Sequence, residues 1–351
     1  MTQKKGNIIV GADTHKKFHV VSVITELGVR LEHKSFSADA KGYREALAWA
    51  SGFGTILRAG IEGTGGYGAG LSTHFIDKGI AVLDVNKPDK HERRKRGKDD
   101  VEDSFQAAAA ALAFIRCSIA KENGEELEAA RLLEATYGQA IRQRTASINA
   151  LRADLVTLPD AMRQSLEGMT WEALAKRCAA FRLSKDFTPE NARKRTLRSL
   201  ARRILALTEE AKELEAEINR YAKALAPKTL TLLGVGCHGA IRLMCTAGQN
   251  IERMSGEAAF SMMCGVSPIP ASSGDNIHFR LNRGGERRAN CAIHTMATTR
   301  LRNDERSRAY YDKKISEGKG ENDAMRCLKR YCAREVYGFL KQDLLALGMA
   351  C

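Results

Sequence analysis

Asp13, Glu62 and an acidic group at Asp99, Asp100, Glu102 and Asp103 are the residues whose types and spacing could do chemistry in this chain. Asp13 stands at the far end of an apolar run, Ile8, Ile9 and Val10, after Gly11 and Ala12. Glu62 closes a second run, 56–61, just ahead of Gly63-Thr64-Gly65-Gly66. An acid after an apolar run is commonly a strand terminator, and acids in a first helical turn are favoured by capping and by the macrodipole. Four acids within residues 99–103 exceed what those causes require. Asp100 and Asp103, three apart, would share a helix face, and with Asp13 and Glu62 could form a cage of hard oxygen ligands. Asp99 with Asp103, or Asp99 with Glu102, would share a face equally well. Two Mg²⁺ ions held in such a cage clamp the attacking and leaving oxygens of a phosphodiester.

A second candidate lies far along the chain. Ser272 and Ser273 precede Gly274 in a proline-punctuated loop, followed by a basic strand and the turn Arg283-Gly284-Gly285. Serines beside glycine usually make turns. The chemical reading is a hydroxyl nucleophile on a phosphodiester, held near arginines that neutralise the phosphate, with Arg280, Arg283, Arg287 and Arg288 in the same run.

The elements that must position these groups are legible in outline. Strands are expected at 8–10, 18–24 and 30–36, the last two joined at Glu26-Leu27-Gly28, giving an antiparallel meander. A helix over 40–51, a strand over 56–61, a helix over 67–78 and a strand over 80–85 come next, and the acidic group opens an alanine-rich helix reaching to about Arg116. This order matches a ribonuclease-H-like sheet, whose first and fourth strands are neighbours. Asp13 and Glu62 would then sit side by side.

Charge points to a polyanionic partner. The 351 residues carry 56 Lys and Arg against 42 Asp and Glu, a net +14 with a pI near 9.4, which favours nucleic acid through counterion release. The basic residues cluster at 91–98, where Arg93, Arg94, Lys95, Arg96 and Lys98 lie, and again at 193–203 and 280–288. Any one cluster could be a solvated face; three together favour nucleic-acid binding. The nine cysteines form no CxxC pair and are odd in number, against a disulfide framework or a zinc site. No uncharged stretch is long enough to cross a bilayer, and the N-terminal apolar run is too short for a signal peptide. A soluble protein of a reducing cytoplasm is expected.

The middle of the chain is helical. Tyr137, Ile141, Ile148, Leu151 and Leu155 mark one apolar stripe before Pro159, and a polar, poorly periodic segment leads to Pro189. Leu197, Leu200, Ile204, Leu207, Ala211, Leu214, Ile218, Tyr221 and Leu225 then alternate three and four apart, a coiled-coil pattern stopped by Pro227. Its expected meaning is oligomerisation or spacing. Leu232-Leu233-Gly234-Val235-Gly236, before a helical 240–246, resembles a helix-hairpin-helix turn able to hold a DNA phosphate at a helix N-terminus. The expected division is an α/β domain over 1–118, a helical linker and coiled coil over 119–226, and a mainly α domain over 227–351.

Asp13 in GADTHK, Glu62 in EGTGGY and Lys98-x-Asp100-x-x-Asp103 together resemble the four acidic positions of DEDD transposases of bacterial insertion sequences, in the family numbered one-ten with its eleven-eleven subgroup. The resemblance implies a RuvC-like, ribonuclease-H-fold N-terminal domain holding Mg²⁺, and it selects Asp100 and Asp103 over Asp99 and Glu102. Asp99 stands where the family has a small hydroxyl residue, and Ser104 where it has alanine. The C-terminal segment is similar to the serine transposase domain of the same family, with Ser273 on the family's serine and Ser272 beside it. The resemblance further implies a recombinase acting on donor and target DNA and directed by a structured bridge RNA. It would be a homo-oligomer, dimer or tetramer, in which the carboxylates of one subunit meet the serine of another. The 197–225 coiled coil is the expected contact.

Two other readings start from the same residues. A RuvC-like nuclease would hydrolyse a branched or single strand with water as nucleophile, leaving the serine structural. An actin-like sugar kinase also begins with a strand ending in Asp, but it needs a glycine-bearing phosphate loop there, and Thr14-His15-Lys16 supplies none. A non-enzymatic nucleic-acid binder has no use for four carboxylates within a basic protein.

Overall fold

The structure, a computed structural model, describes residues 6–86, 99–271 and 279–347. The chain divides into two compact units. One comprises the residues up to Glu122 together with Gly248–Ser255, and the other comprises Asn123–Ala247 together with the residues from Gly256 onward.

The first unit is built on a six-stranded sheet of order β3-β2-β1-β4-β5-β6. β1 (Asn7–Thr14), β2 (Phe18–Thr25) and β3 (Arg30–Ser37) form an antiparallel meander. α1 (Ala40–Ser51) leads to β4 (Thr55–Glu62), parallel to β1, and α2 (Ala69–Asp77) leads to β5 (Ala81–Val85), parallel to β4. After α3 (Asp100–Ala113), a short β6 (Cys117–Ile119) adds antiparallel to β5. β1 reads as an unbroken apolar run because both its faces are covered. Ile8, Val10 and Ala12 join Ala46, Leu71 and Phe75 on the α1 and α2 side, and Ile9 joins Phe105, Ala108 and Ala111 of α3 on the other.

Expected and observed strands agree closely, with two differences. β1 runs through Asp13 to Thr14, longer than the expected 8–10, and Asp13 stands near its far end as expected. The helix expected to reach Arg116 stops at Ala113, where Phe114 turns left-handed at φ 54° and donates its N–H to Ala110 O. The chain is thereby released to pair β6 with the open edge of β5, which saturates backbone groups that the edge would otherwise leave to solvent. The segment 248–255 is tied into the same unit: Asn250 Nδ2 donates to Ala120 O at 2.8 Å, and Asn250 Oδ1 accepts from Glu122 N at 3.0 Å.

The second unit is mostly helical. α4 (Glu125–Val156) and α7 (Pro189–Leu225) are its long members, and the segment between them, polar and poorly periodic in sequence, folds α5 (Asp160–Gln164) and α6 (Trp171–Ala179). Thr188 caps α7 by accepting from Asn191 N at 3.2 Å, with Pro189 in the first turn where its missing N–H costs nothing. Leu197, Ala201 and Ile204 of α7 cluster with Leu151 of α4 and Leu174 of α6, so the first part of the heptad stripe is covered inside the single chain. Near its other end α4 buries Glu134, which accepts from Arg242 Nε at 2.6 Å and lies 2.6 Å from His238 Nδ1, both on α8 (Cys237–Ala247).

α9 (Glu257–Met263), the two-residue strands β7 (Ile269–Pro270) and β8 (Phe279–Arg280), α10 (Arg287–Asn303), α11 (Glu305–Ser316) and α12 (Glu321–Ala346) complete the second unit. The LLGVG turn is real: Gly234 adopts φ +89°, and a Cβ there would meet Met296 O at 2.9 Å. Among the described residues no helix is long and apolar enough to cross a membrane.

Candidate metal centre

Two glycines aim the first two carboxylates. A Cβ at Gly11 would fall 2.1 Å from Ser104 O, and one at Gly60 would fall 2.3 Å from Ala107 O, so α3 lies directly on β1 and β4 at those points. Side chains alternate along a strand. Asp13 and Glu62, each two residues further on, therefore face the same side as the first turn of α3. They are also adjacent laterally, because Ala12 and Ile61 are partners in the parallel register. Both are buried, at 5% and 7% exposure. Thr14 Oγ1 donates to Glu62 O at 2.7 Å and ties the two strand ends together.

The first turn of α3 sorts its acids by task. Asp99 is the N-cap, accepting from Val101 N at 3.0 Å. Glu102 takes both guanidinium nitrogens of Arg30 on β3 at 2.8 Å each. Asp100 and Asp103 are the two whose charges act on Asp13. Ser104 is fully buried and donates to Val101 O at 2.7 Å, so its hydroxyl is satisfied within the helix.

Burial raises the Asp13 carboxyl above the ordinary aspartate range. His15 opposes that rise, while Glu62, Asp100 and Asp103 add to it in turn. Three acids therefore stand near enough to raise Asp13, and a cation beside it would relieve that repulsion. His15 completes the group: its Nε2 lies 3.1 Å from Asp13 Oδ2 and 3.1 Å from Asp100 Oδ2, yet makes no hydrogen bond of acceptable geometry. One donor atom each from Asp13, His15 and Asp100 lie within 4.8 Å of one another, the span of a shared metal ion. Behind it His19, buried beside the Tyr43 ring, accepts from His15 N at 3.3 Å, and burial holds its imidazole below the usual range, with the His15 charge acting in the same direction.

Hard carboxylate oxygens and one imidazole suit a divalent ion such as Mg²⁺ or Mn²⁺. Asp13, His15 and Asp100 are the residues brought within reach of one ion, while the expected ligands Glu62 and Asp103 are outside that group of three and act on the Asp13 charge from nearby. His15 was not among the residues singled out by sequence. Its signal was present, since two residues after Asp13 on an extended chain is the same face.

The sign of the Asp13 shift carries a stability prediction. A carboxyl whose folded value is raised above its unfolded value costs stability once ionised. The cost is absent below the unfolded value, grows between the unfolded and the folded values and is complete above the folded one. Asp13→Asn, of nearly the same shape, should raise the melting temperature at pH 7 in the presence of a chelator. It should also abolish the rise that Mg²⁺ or Mn²⁺ gives the unsubstituted protein. A lower melting temperature in chelator would show that the neighbours stabilise the carboxylate without an ion.

The remaining expected site residues belong to the second unit or to undescribed segments. Arg280, Arg283, Arg287 and Arg288 are all exposed, around β8 and the start of α10 in the second unit. Their turn is locked, since a Cβ at Gly285 would meet Gly265 N at 2.2 Å and Gly284 N donates to Asn282 Oδ1 at 3.0 Å. Arg93, Arg94, Lys95, Arg96 and Lys98, together with Ser272 and Ser273, lie outside the described residues.

Residues 10–158 match the transposase model DEDD_Tnp_IS110, and residues 228–312 match the model described as Transposase IS116/IS110/IS902 family. The chain is also similar to the Insertion element IS900 uncharacterized 42 kDa protein of Mycobacterium paratuberculosis, 26% identical over 149 residues. That match spans 40% of this chain and 36% of the relative, so the chain aligns with about a third of the relative's length. Two domain matches in family order, one over the carboxylate-bearing unit and one over the later helical part, place the chain among the insertion-sequence transposases of the IS110 family.

Proposed function

We propose that the protein cuts and transfers DNA strands for an insertion sequence, with a ribonuclease-H-like first unit supplying a Mg²⁺ site. The observation that carries this reading is that Asp13 at the end of β1 meets His15 and Asp100 of the first turn of α3, with Glu62 beside it at the end of β4 and Asp103 near enough to act on its charge. The strand order, a meander whose first strand neighbours the fourth, also supports the ribonuclease-H-like assignment. Mg²⁺ in this cage supplies charge neutralisation at the scissile phosphate and at the leaving oxygen. The chain's own part is to hold the ligands rigid: Thr14 and the two glycine contacts fix the strand ends, and the Asp99 cap fixes the helix turn.

Ser273 is the proposed nucleophile. Its Oγ attacks the scissile phosphorus as the hydroxyl proton is lost, the bond from phosphorus to the 3′-oxygen breaks, and that oxygen takes a proton. The products are a phosphoserine link and a free 3′-hydroxyl for exchange. Donor and target DNA are the substrates, a structured bridge RNA is the guide, and a homo-oligomer brings the serine of one subunit to the carboxylates of another. The basic composition and the exposed arginines around β8 suit such partners.

A denaturing gel of protein incubated with the ends of its insertion sequence tests the serine. Unsubstituted protein should shift by the mass of the strand it carries, and Ser273→Ala should lose both the shifted band and the recombinant product. Chelation of Mg²⁺ should suppress the band too. Normal cutting by Ser273→Ala, with free 5′-phosphate ends, would make the enzyme a water-using nuclease with a structural serine. For the guide, RNA of discrete size should co-purify and survive high salt; protein free of RNA yet fully active would exclude it.

A further inference from the structure

Beside the acidic centre, within the first unit, a cleft of about 350 Å³ runs from Glu62 and Asp103 to Arg116. Ala113 is part of its α3 wall, and Asn86 and Gln106 are among its lining residues, the Gln106 Nε2 donating to Glu102 Oε1 at 3.4 Å. Arg116 is set there by its backbone. It adopts φ 55°, a left-handed conformation that among the described non-glycine residues only it and Phe114 share. Asn86 N donates to Arg116 O at 3.0 Å, and the Phe114 ring lies 4.2 Å from the guanidinium carbon of Arg58, which braces the turn.

The cleft therefore has an anionic end, where a cation would sit, and a cationic end. Between them runs a wall of small side chains that admits a flat ring. Side-chain amides of the Asn and Gln type pair with base edges, and a guanidinium fork matches a phosphate. A volume of about 350 Å³ lies at the small end of the roughly 300–1,000 Å³ usual for ligand sites, suited to one nucleotide unit and not to a duplex.

We propose that this cleft is the subsite for the nucleotide next to the scissile phosphate on the cut strand, with Arg116 taking that nucleotide's far phosphate. The proposal rests on the four carboxylates being the metal site. It adds the class of ligand held beside them and the residue that fixes the strand's register there.

The test uses full-length protein and thymidine 3′,5′-bisphosphate as probe, titrated calorimetrically in Ca²⁺, with a separate Mn²⁺ titration. Arg116→Asn keeps a residue tolerant of the left-handed backbone, and Ala113→Trp fills the cleft from an exposed helix position. Arg116→Asn should weaken bisphosphate binding about tenfold, the loss of one charge-assisted contact, and Ala113→Trp should remove it. Both should bind Mn²⁺ as the unsubstituted protein does. Bisphosphate affinity unchanged by Arg116→Asn, or no binding by the unsubstituted protein, overturns the subsite, and Arg116→Asn decides alone if Ala113→Trp does not fold. Absence of any Mn²⁺ site in the unsubstituted protein would instead overturn the carboxylate reading. Arg116-dependent bisphosphate binding would then mark a nucleotide site in the cleft and overturn its place beside a scissile phosphate.

Discussion

Asp13→Asn, Glu62→Gln, Asp100→Asn and Asp103→Asn should each lower DNA strand cleavage by roughly a thousandfold or more, while Asp99→Asn and Glu102→Gln should lower it by less than about tenfold. Charge stabilisation by a bound ion is worth several kcal/mol, and each 1.4 kcal/mol is about a factor of ten in rate. The contrast between neighbours comes from what each acid already does. Asp99 is occupied by the helix cap and Asn caps nearly as well; Glu102 is occupied by Arg30. DNA binding should stay within a few-fold, because removing one of several converging acids relieves repulsion and does not unfold the unit. The measurement is a cleavage time course in Mg²⁺ beside a filter-binding curve. Cleavage that survives Asp100→Asn but is lost in Asp99→Asn would put the metal on the other helical register.

The second large effect concerns the heptad stripe. Ile204 is fully buried in the cluster that joins α7 to Leu151 and Leu174. Ile204→Asp would bury an unpaired carboxylate and lose the packing of an isoleucine, a cost on the order of several kcal/mol. For a unit of this size that should lower the melting temperature by roughly 10 °C or more. Leu207→Asp with Leu214→Asp strikes the same stripe where Leu214 is only partly covered, and should lower stability and loosen any assembly together. Circular dichroism melts read the first effect and light scattering the second. An unchanged melt with a lost oligomer would mean that the stripe serves between chains and not within one.

How much of this could be read from sequence varies by element, for physical reasons. β1 and the second half of β4 were legible because a strand covered on both faces must be apolar, and so Asp13 and Glu62 stood out as interruptions. The start of α3 was legible from its acids, but not which acid did what. That depended on Arg30, which sits about seventy residues away on β3 and takes Glu102 out of the competition. β6 was hidden because three residues carry no periodicity, and because the helix ended on Phe114, a residue that seldom adopts a left-handed conformation. The stripe of α7 was plain, yet periodicity names a seam and not its partner, and the cover from α4 and α6 is visible only in three dimensions. His15 was overlooked because a histidine beside a carboxylate is not diagnostic until Asp100 arrives from α3 on its other side.

The metal centre is the claim on which the rest depends, and a crystal of the protein soaked in Mn²⁺ and measured at the manganese edge examines it directly. An anomalous peak is expected among the carboxylates of Asp13, Glu62, Asp100 and Asp103, within bonding distance of Asp13 and beside His15, and absent from Asp13→Asn crystals grown alike. No peak there in the unsubstituted protein, with His15 still lodged between Asp13 and Asp100, would contradict it.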